Sequence, residues 1–354
     1  MKKDSAGTIN SIQVLRAFAA LAVVYYHIAL LQLGKDLQLP ETGSWGVDVF
    51  FIISGFIIGM VITQNTRYFL PRRIIRVVPL YWIATFAWAG LVLAFPGKTN
   101  STEVTFTGLL KSLFFIPFEM PQRVGPILGL GWTLNYEMFF YLLVAISLFL
   151  FKDARKALAL TLSVLLLLVA SSKVYVPTNF ALLHYQNPLL LEFVSGIFLY
   201  FGYSWHQKRE WTKATKLLSI SFGVILLASG TYLLVAQETG QIGYLFSGRV
   251  GFFGIPAFLV VTGTLLLEPL FRPSRLTSLL VEVGAGSYAI YLFHPFLVGL
   301  LGPSFLKSPL LSQNYLLGIG IVASVMVASA VLGVAIHRYI DTPIQKSCKR
   351  LLYR

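Results

Sequence analysis

The sequence predicts an all-α, polytopic membrane bundle of about ten transmembrane helices with one short re-entrant or interfacial helix. Three observations carry that prediction. The 354 residues have a mean hydropathy of +0.74 and are 56% hydrophobic but only 12% charged, about half the charged fraction of an average soluble domain. Ten apolar runs are long enough, at about 17 to 25 residues each, to cross a hydrocarbon core as helices. The 28 basic residues outnumber the 14 acidic ones and gather in short clusters between those runs, the pattern of cytoplasmic loops in a membrane protein. A soluble globular protein is excluded, and topology accounts for the positive charge without a nucleic-acid partner.

The runs cover 12–33, 46–66, 77–95, 126–151, 157–175, 188–205, 214–236, 249–270, 280–302 and 314–338. The first follows Lys2 and Lys3 as a signal peptide would, but Arg16 and His27 interrupt it and further spans come after, so it is read as retained. The second opens at Trp45-Gly46-Val47-Asp48 and ends before Arg67; the third follows Arg72, Arg73 and Arg76 and holds Pro79 near its start. The stretch 106–118 is apolar but too short to span, and counting it would invert every later loop, which makes it the re-entrant or interfacial helix. The fourth run ends before Lys152, the sixth before Lys208 and Arg209, the eighth before Arg272, and the tenth at Arg338. Placing the N-terminus inside puts twenty basic residues in cytoplasmic loops and seven (Lys35, Lys98, Lys111, Arg123, Lys173, Arg249 and Lys307) outside. Both termini are then cytoplasmic. One membrane domain, 1–354, is expected, with no linker or repeat; the lone Cys348 offers neither a disulfide nor a metal site.

An ionisable side chain inside a bilayer costs several kcal/mol unless it is paired or faces a wet cavity, so each is a candidate functional residue. Arg16 and His27 are eleven residues apart, about 16 Å of rise and close to three turns, and share one helix face. Arg16 near the inner edge is equally able to snorkel to headgroups; His27 is too deep for that and is either functional or a satisfied packing residue. Asp48, at comparable depth, either caps its helix or fixes the imidazole of His27 as a general base. Arg72, Arg73 and Arg76 have the planar fork that binds phosphate bidentately, although topology and lipid contact explain such a cluster too.

On the fourth run, Glu137 stands about halfway across if the helix begins near Pro126, with Trp132 and Asn135 offering surface of the kind sugars use. A structural ion pair with an arginine is the alternative for Glu137. Glu192, Arg249 and, in Ser287-Tyr288 to His294-Pro295, His294 complete the set. His27, Asp48, Glu137, Glu192, Arg249 and His294 fall in a central-to-outer layer; Arg16, Arg72, Arg73 and Arg76 fall in an inner one.

These motifs together resemble the integral-membrane acyltransferase-three family, which includes bacterial O-antigen, exopolysaccharide and peptidoglycan O-acetyltransferases. The resemblance rests on Arg16 with His27, Gly46-Val47-Asp48-Val49-Phe50-Phe51 to Ser54-Gly55-Phe56, Arg72-Arg73-Ile74-Ile75-Arg76, Trp132-Thr133-Leu134 to Glu137, Ser287-Tyr288 to His294-Pro295, and Tyr339-Ile340-Asp341-Thr342-Pro343, in that order. Asp341 stands where the family usually has Glu. The resemblance implies a bacterial inner-membrane enzyme that moves an acyl group, acetyl in the polysaccharide members, from cytoplasmic acyl-CoA to a hydroxyl of a cell-surface or lipid-linked glycan. It implies His27 as the catalytic residue, as general base or acyl relay, oriented by Asp48. Arg16, Arg72, Arg73 and Arg76 would hold the donor's phosphates, while Trp132, Asn135, Glu137, Ser287, Tyr288 and His294 would bind the acceptor or organise the site. No metal is implied; membrane lipid and polysaccharide-assembly proteins are the expected partners. The chain resembles the stand-alone type without a fused hydrolase-like domain, a group that also acylates macrolides and other small hydroxylated molecules. A proton-coupled transporter would also bury such residues, but the inverted repeats and matched broken helices common in transporters are not seen.

Overall fold

A computed structural model describes residues 9–95, 103–120, 123–242, 248–300 and 315–353. Lys2, Lys3, Lys98, Lys307 and Arg354, which entered the charge count, lie outside the described residues, as do the end of the ninth run and the start of the tenth. The fold is all-α. In chain order the helices are α1 (Asn10–Ala29), α2 (Gln32–Asp36), α3 (Gly46–Gln64), α4 (Phe69–Ala94), α5 (Phe106–Leu113), α6 (Gly131–Leu150), α7 (Ala154–Ser171) and α8 (Phe180–Tyr185). There follow α9 (Leu190–Gln207), α10 (Lys213–Glu238), α11 (Ile255–Leu266), α12 (Arg275–Ala285), α13 (Ser287–Leu300), α14 (Tyr315–Ile336) and α15 (Thr342–Leu352). A π-helical stretch, Val250–Gly254, runs into α11, and a second, His337–Asp341, joins α14 to α15. Two-residue strands, β1 (Glu119–Met120) and β2 (Arg123–Val124), pair antiparallel.

Among the described residues seven helices are long and apolar enough to cross a membrane, or eight if α12 and α13 count as one span. The protein is a multi-pass membrane protein. Helices α7 and α10 leave Leu166, Leu167, Leu217, Leu218, Phe222 and Ile225 exposed, the apolar exterior that lipid requires of helices whose backbone is satisfied internally. The expected short helix between the third and fourth runs is α5, whose first turn is capped by Thr105 Oγ1 accepting from Gly108 N–H at 3.0 Å.

The described residues group into two compact units. The first comprises residues up to Ile53 and Leu199–His337. Its core joins Ala20, Val24 and Ile28 of α1 to Leu33, Leu37, Ile290, Val298 and Val322. A side chain at Gly284 would put its Cβ 1.8 Å from the carbonyl oxygen of Gln13, so α12 lies directly on the α1 backbone, the small-residue contact that membrane helices use. The ninth run, 280–302, is expected to be one span; α12 and α13 meet there at 70° around Gly286. Gly286 sits against Val334 of α14, so α12 lies along α1 while α13 turns onto α14. The first turn of α1 has no capping side chain of its own. The carboxylate of Glu268 accepts from Asn10 N–H at 3.1 Å and Ser11 N–H at 2.8 Å, placing an anion on the open amides and positive end of the helix that bears Arg16 and His27.

The second unit comprises Ser54–Phe198 and the described part of Arg338–Arg354. The third run is expected to start at 77, but α4 starts at Phe69, so Arg72, Arg73 and Arg76 lie on its first two turns. Pro71 tolerates this because amides of a first turn have no intrahelical acceptor to lose. Likewise α6 begins at Gly131 and not near Pro126, which places Glu137 seventh of 20 residues, about a third of the way along. The residues before it turn at Gly125, with a φ of +118°, a left-handed conformation suited to glycine.

Candidate active site

His27 and His294 meet in the first unit. Their rings are 4.9 Å apart, and His294 Nε2 faces His27 Nδ1 at 3.3 Å. Each ring also reaches the carbonyl four residues earlier on its own helix: His27 Nδ1 to Val23 O at 2.8 Å and His294 Nδ1 to Ile290 O at 3.2 Å. A carbonyl only accepts, so both rings carry hydrogen on Nδ1. His294 then presents the lone pair of its Nε2 to the same N–H of His27, and the basic nitrogen left on His27 is Nε2. Pro295, which follows His294 inside α13, supplies no amide to the Tyr291 carbonyl, and that carbonyl also faces the His294 imidazole.

The expected His27–Asp48 contact is not among the hydrogen bonds of His27, which go to Val23 and His294. Asp48, with no exposed surface, takes a two-point salt bridge from Arg249: Nη2 to Oδ2 at 2.7 Å and Nε to Oδ1 at 3.1 Å. Arg249 Nη2 also reaches Ser44 O at 3.4 Å, and its guanidinium lies 5.1 Å from the Phe253 ring centre. Arg249 stands immediately before the π-helical stretch, a departure from regular helix that often marks functional sites. The loop leading into α3 is clamped by Glu238 at the end of α10, whose carboxylate accepts from Thr42 Oγ1, Gly43 N–H and the N–H and hydroxyl of Ser44. Arg16 is half-buried on α1; Ser287 is fully buried at the start of α13 with its hydroxyl unsatisfied, and Tyr288 follows it.

In the second unit Glu137 is not in a salt bridge among the described residues. It accepts from the Tyr141 hydroxyl and from Ser54 Oγ, the latter at 3.4 Å. Arg73 lies 5.9 Å from the ring centres of both Tyr141 and Phe69, close enough for cation–π attraction. A groove of about 470 Å³ beside that same Phe69 is walled by Leu70, Leu148 and Phe149 and includes Lys152. Arg72 donates from Nε to the Tyr353 hydroxyl at 2.7 Å. Asn135 is buried with both side-chain polar atoms unsatisfied, and half-buried Trp132 lies edge-on to Tyr136. Glu192 is buried near the start of α9. Among the described residues no group of three His, Cys, Asp or Glu is placed to hold a metal ion.

The reading from sequence placed Arg249 in the layer of Asp48 without pairing them, and it missed Glu238, Tyr141 and Tyr353. Tyr141 carried a usable signal, four residues after Glu137 and so on the same helix face.

The chain is 31% identical over 312 residues to the exopolysaccharide production protein ExoZ of Rhizobium meliloti, covering 85% of this chain and 89% of that one. It is 26% identical to the acyltransferase MdmB of Streptomyces mycarofaciens over 98% of this chain and 93% of that one. To the peptidoglycan O-acetyltransferase OatA of Listeria monocytogenes it is 23% identical, over 96% of this chain and 56% of that one. No solved structure matches. Residues 9–338 match the family described as an acyltransferase domain, and the chain belongs to that family.

Proposed function

We propose that the protein is an O-acyltransferase that moves an acetyl group from acetyl-CoA to a hydroxyl of a cell-surface or lipid-linked polysaccharide sugar. It acts in the bacterial cytoplasmic membrane, with both termini in the cytoplasm. The observation that carries the chemistry is the His27–His294 pair, whose hydrogen bonds leave His27 Nε2 as a basic nitrogen. The glycan acceptor is supported by the exopolysaccharide and peptidoglycan relatives.

His27 Nε2 takes the proton of the acceptor hydroxyl as that oxygen attacks the thioester carbonyl. The carbon–sulfur bond then breaks, and the leaving thiolate takes the proton back from His27 as CoA thiol. While His27 is charged, its Nδ1–H remains shared between Val23 O and His294 Nε2, which holds the ring in place and spreads the charge. His294 is thus a positioning residue. Replacing it with alanine lowers kcat about 10- to 100-fold with little change in either KM, the signature of an interaction strengthened in the transition state. Phosphates of the donor bind Arg72, Arg73 and Arg76. Arg73→Ala raises the apparent KM for acetyl-CoA about tenfold, from the loss of a charge-assisted contact, with a smaller change in kcat; initial-rate kinetics over a donor series reads both.

The deciding experiment follows CoA release by purified protein in liposomes, with and without an extracted glycan. Release that needs both the glycan and His27 supports the reading. Glycan-dependent flux of an unacylated substrate with no CoA release overturns it in favour of transport.

A further inference from the structure

The C-terminal helix carries a polar stripe that the scheme above leaves unused. Asp341, Gln345, Lys349 and Tyr353 recur every four residues, the first and last flanking α15 and the middle two on it, and so follow one side of that helix, which packs on α4. Asp341 and Gln345 are buried and joined at 2.8 Å. At the other end the Tyr353 hydroxyl accepts from Arg72, and its ring centre lies 5.6 Å from that guanidinium. Between them Lys349 is exposed at the surface, within electrostatic reach of the half-buried Arg76, Arg73 and Arg72, with Asp341 as the opposing charge. Four cations therefore converge where two helices meet, and none of the four is in a salt bridge among the described residues. Arg73 Nε is buried with no hydrogen-bond partner. Like charges crowded at partial burial repel one another and lose hydration, so this arrangement is costly in the bare protein and relieved by a multiply charged anion.

We infer that α15 closes a phosphate site against α4, in which Lys349 is a fourth direct ligand of the donor's phosphates and Tyr353 holds the fork of Arg72 in position. The inference rests on the reading of the three arginines as the donor site. It divides the work by side-chain chemistry: the guanidinium groups supply planar two-point contacts, and the lysine supplies a mobile point charge that adapts to whichever oxygen is left.

The full-length protein in nanodiscs is titrated with CoA at several salt concentrations, and its melting temperature is followed with and without CoA. Lys349→Gln should weaken CoA binding about tenfold and flatten its salt dependence, while Lys349→Arg stays within about threefold of wild type. Without CoA, Lys349→Gln should melt higher than wild type because a crowded charge is gone, and CoA should then raise its melting temperature less. Tyr353→Phe should weaken binding about threefold by releasing Arg72. Unchanged CoA affinity in Lys349→Gln alongside lost affinity in Arg73→Ala overturns the role of α15 and leaves the donor-site reading standing. Unchanged affinity in both variants overturns both. A lower melting temperature for Lys349→Gln without CoA, unrescued by arginine, means that Lys349 is structural and overturns the inference.

Discussion

His27→Ala abolishes acyl transfer, lowering glycan-dependent CoA release by about 10³-fold, within the range that a positioned general base contributes. The expectation rests on the hydrogen-bond pattern around the ring. With Nδ1 committed to Val23 O and His294 Nε2, the proton acceptor is Nε2, and alanine removes it without offering a substitute. The fold should tolerate the change. The face of α1 that builds the core is Ala20, Val24 and Ile28, and His27 itself is only half-buried. The measurement is CoA release beside a melting curve, with CoA affinity as a third readout: rate collapses, melting temperature and affinity stay near wild type. Retention of a tenth or more of the wild-type rate would remove His27 from the mechanism. An acyl-histidine relay predicts the same loss but differs in one respect, a labile, hydroxylamine-sensitive acyl adduct that forms on His27 when donor is supplied without acceptor.

The second large effect is on stability. Arg249→Met leaves the carboxylate of Asp48 buried without its two-point partner. Breaking a fully buried pair typically costs about 3–5 kcal/mol; the arginine side chain is 34% exposed while Asp48 is 0% exposed, and screening on the arginine side brings the expected cost down to about 2–3 kcal/mol. The double variant Asp48→Leu with Arg249→Met should be markedly more stable than Arg249→Met alone, because no orphaned charge remains. Thermal melts of the four members of this cycle check it. A single arginine variant as stable as wild type would mean that Asp48 finds another cation or takes up a proton at little cost.

The helical segments were legible in the sequence, and direction around each helix was not. Hydropathy and loop charge placed the helical segments and put His27, Asp48, Arg249 and His294 in a common layer. Which of them touch depends on how helices rotate against one another, and that is set by contacts such as Gly284 on Gln13 that no single apolar run reveals. The partner of Asp48 accordingly proved to be Arg249, and that of His27 proved to be His294. Helix starts failed where tertiary contact overrode local signals. Pro126 looked like the opening of the fourth run, yet the chain stays irregular there, with Ile127 N–H held by Ser112 Oγ at 3.0 Å, and coils only from Gly131. The 70° bend between α12 and α13 was hidden because a glycine inside an apolar run reads equally well as helix interior. The arginine cluster was visible as charge, but Lys349 and Tyr353 entered the reading only as topology or not at all, since their relation to Arg72 spans 277 to 281 residues of sequence.

Glu268 reaches back across 258 residues to cap the first turn of α1, and that distance imposes an order on biogenesis. α1 is made well before its acceptor, and its leading amides have no permanent partner until residue 268 has been synthesised, about 13 to 50 s later at ordinary ribosome speeds. His294 follows later still. During all of that interval His27 is present in the membrane on a helix with an unfinished end and without the ring that orients it. A product cut short before residue 268 would leave the leading amides of α1 without this acceptor, and one cut short before residue 294 would leave the Nδ1–H of His27 with Val23 O alone.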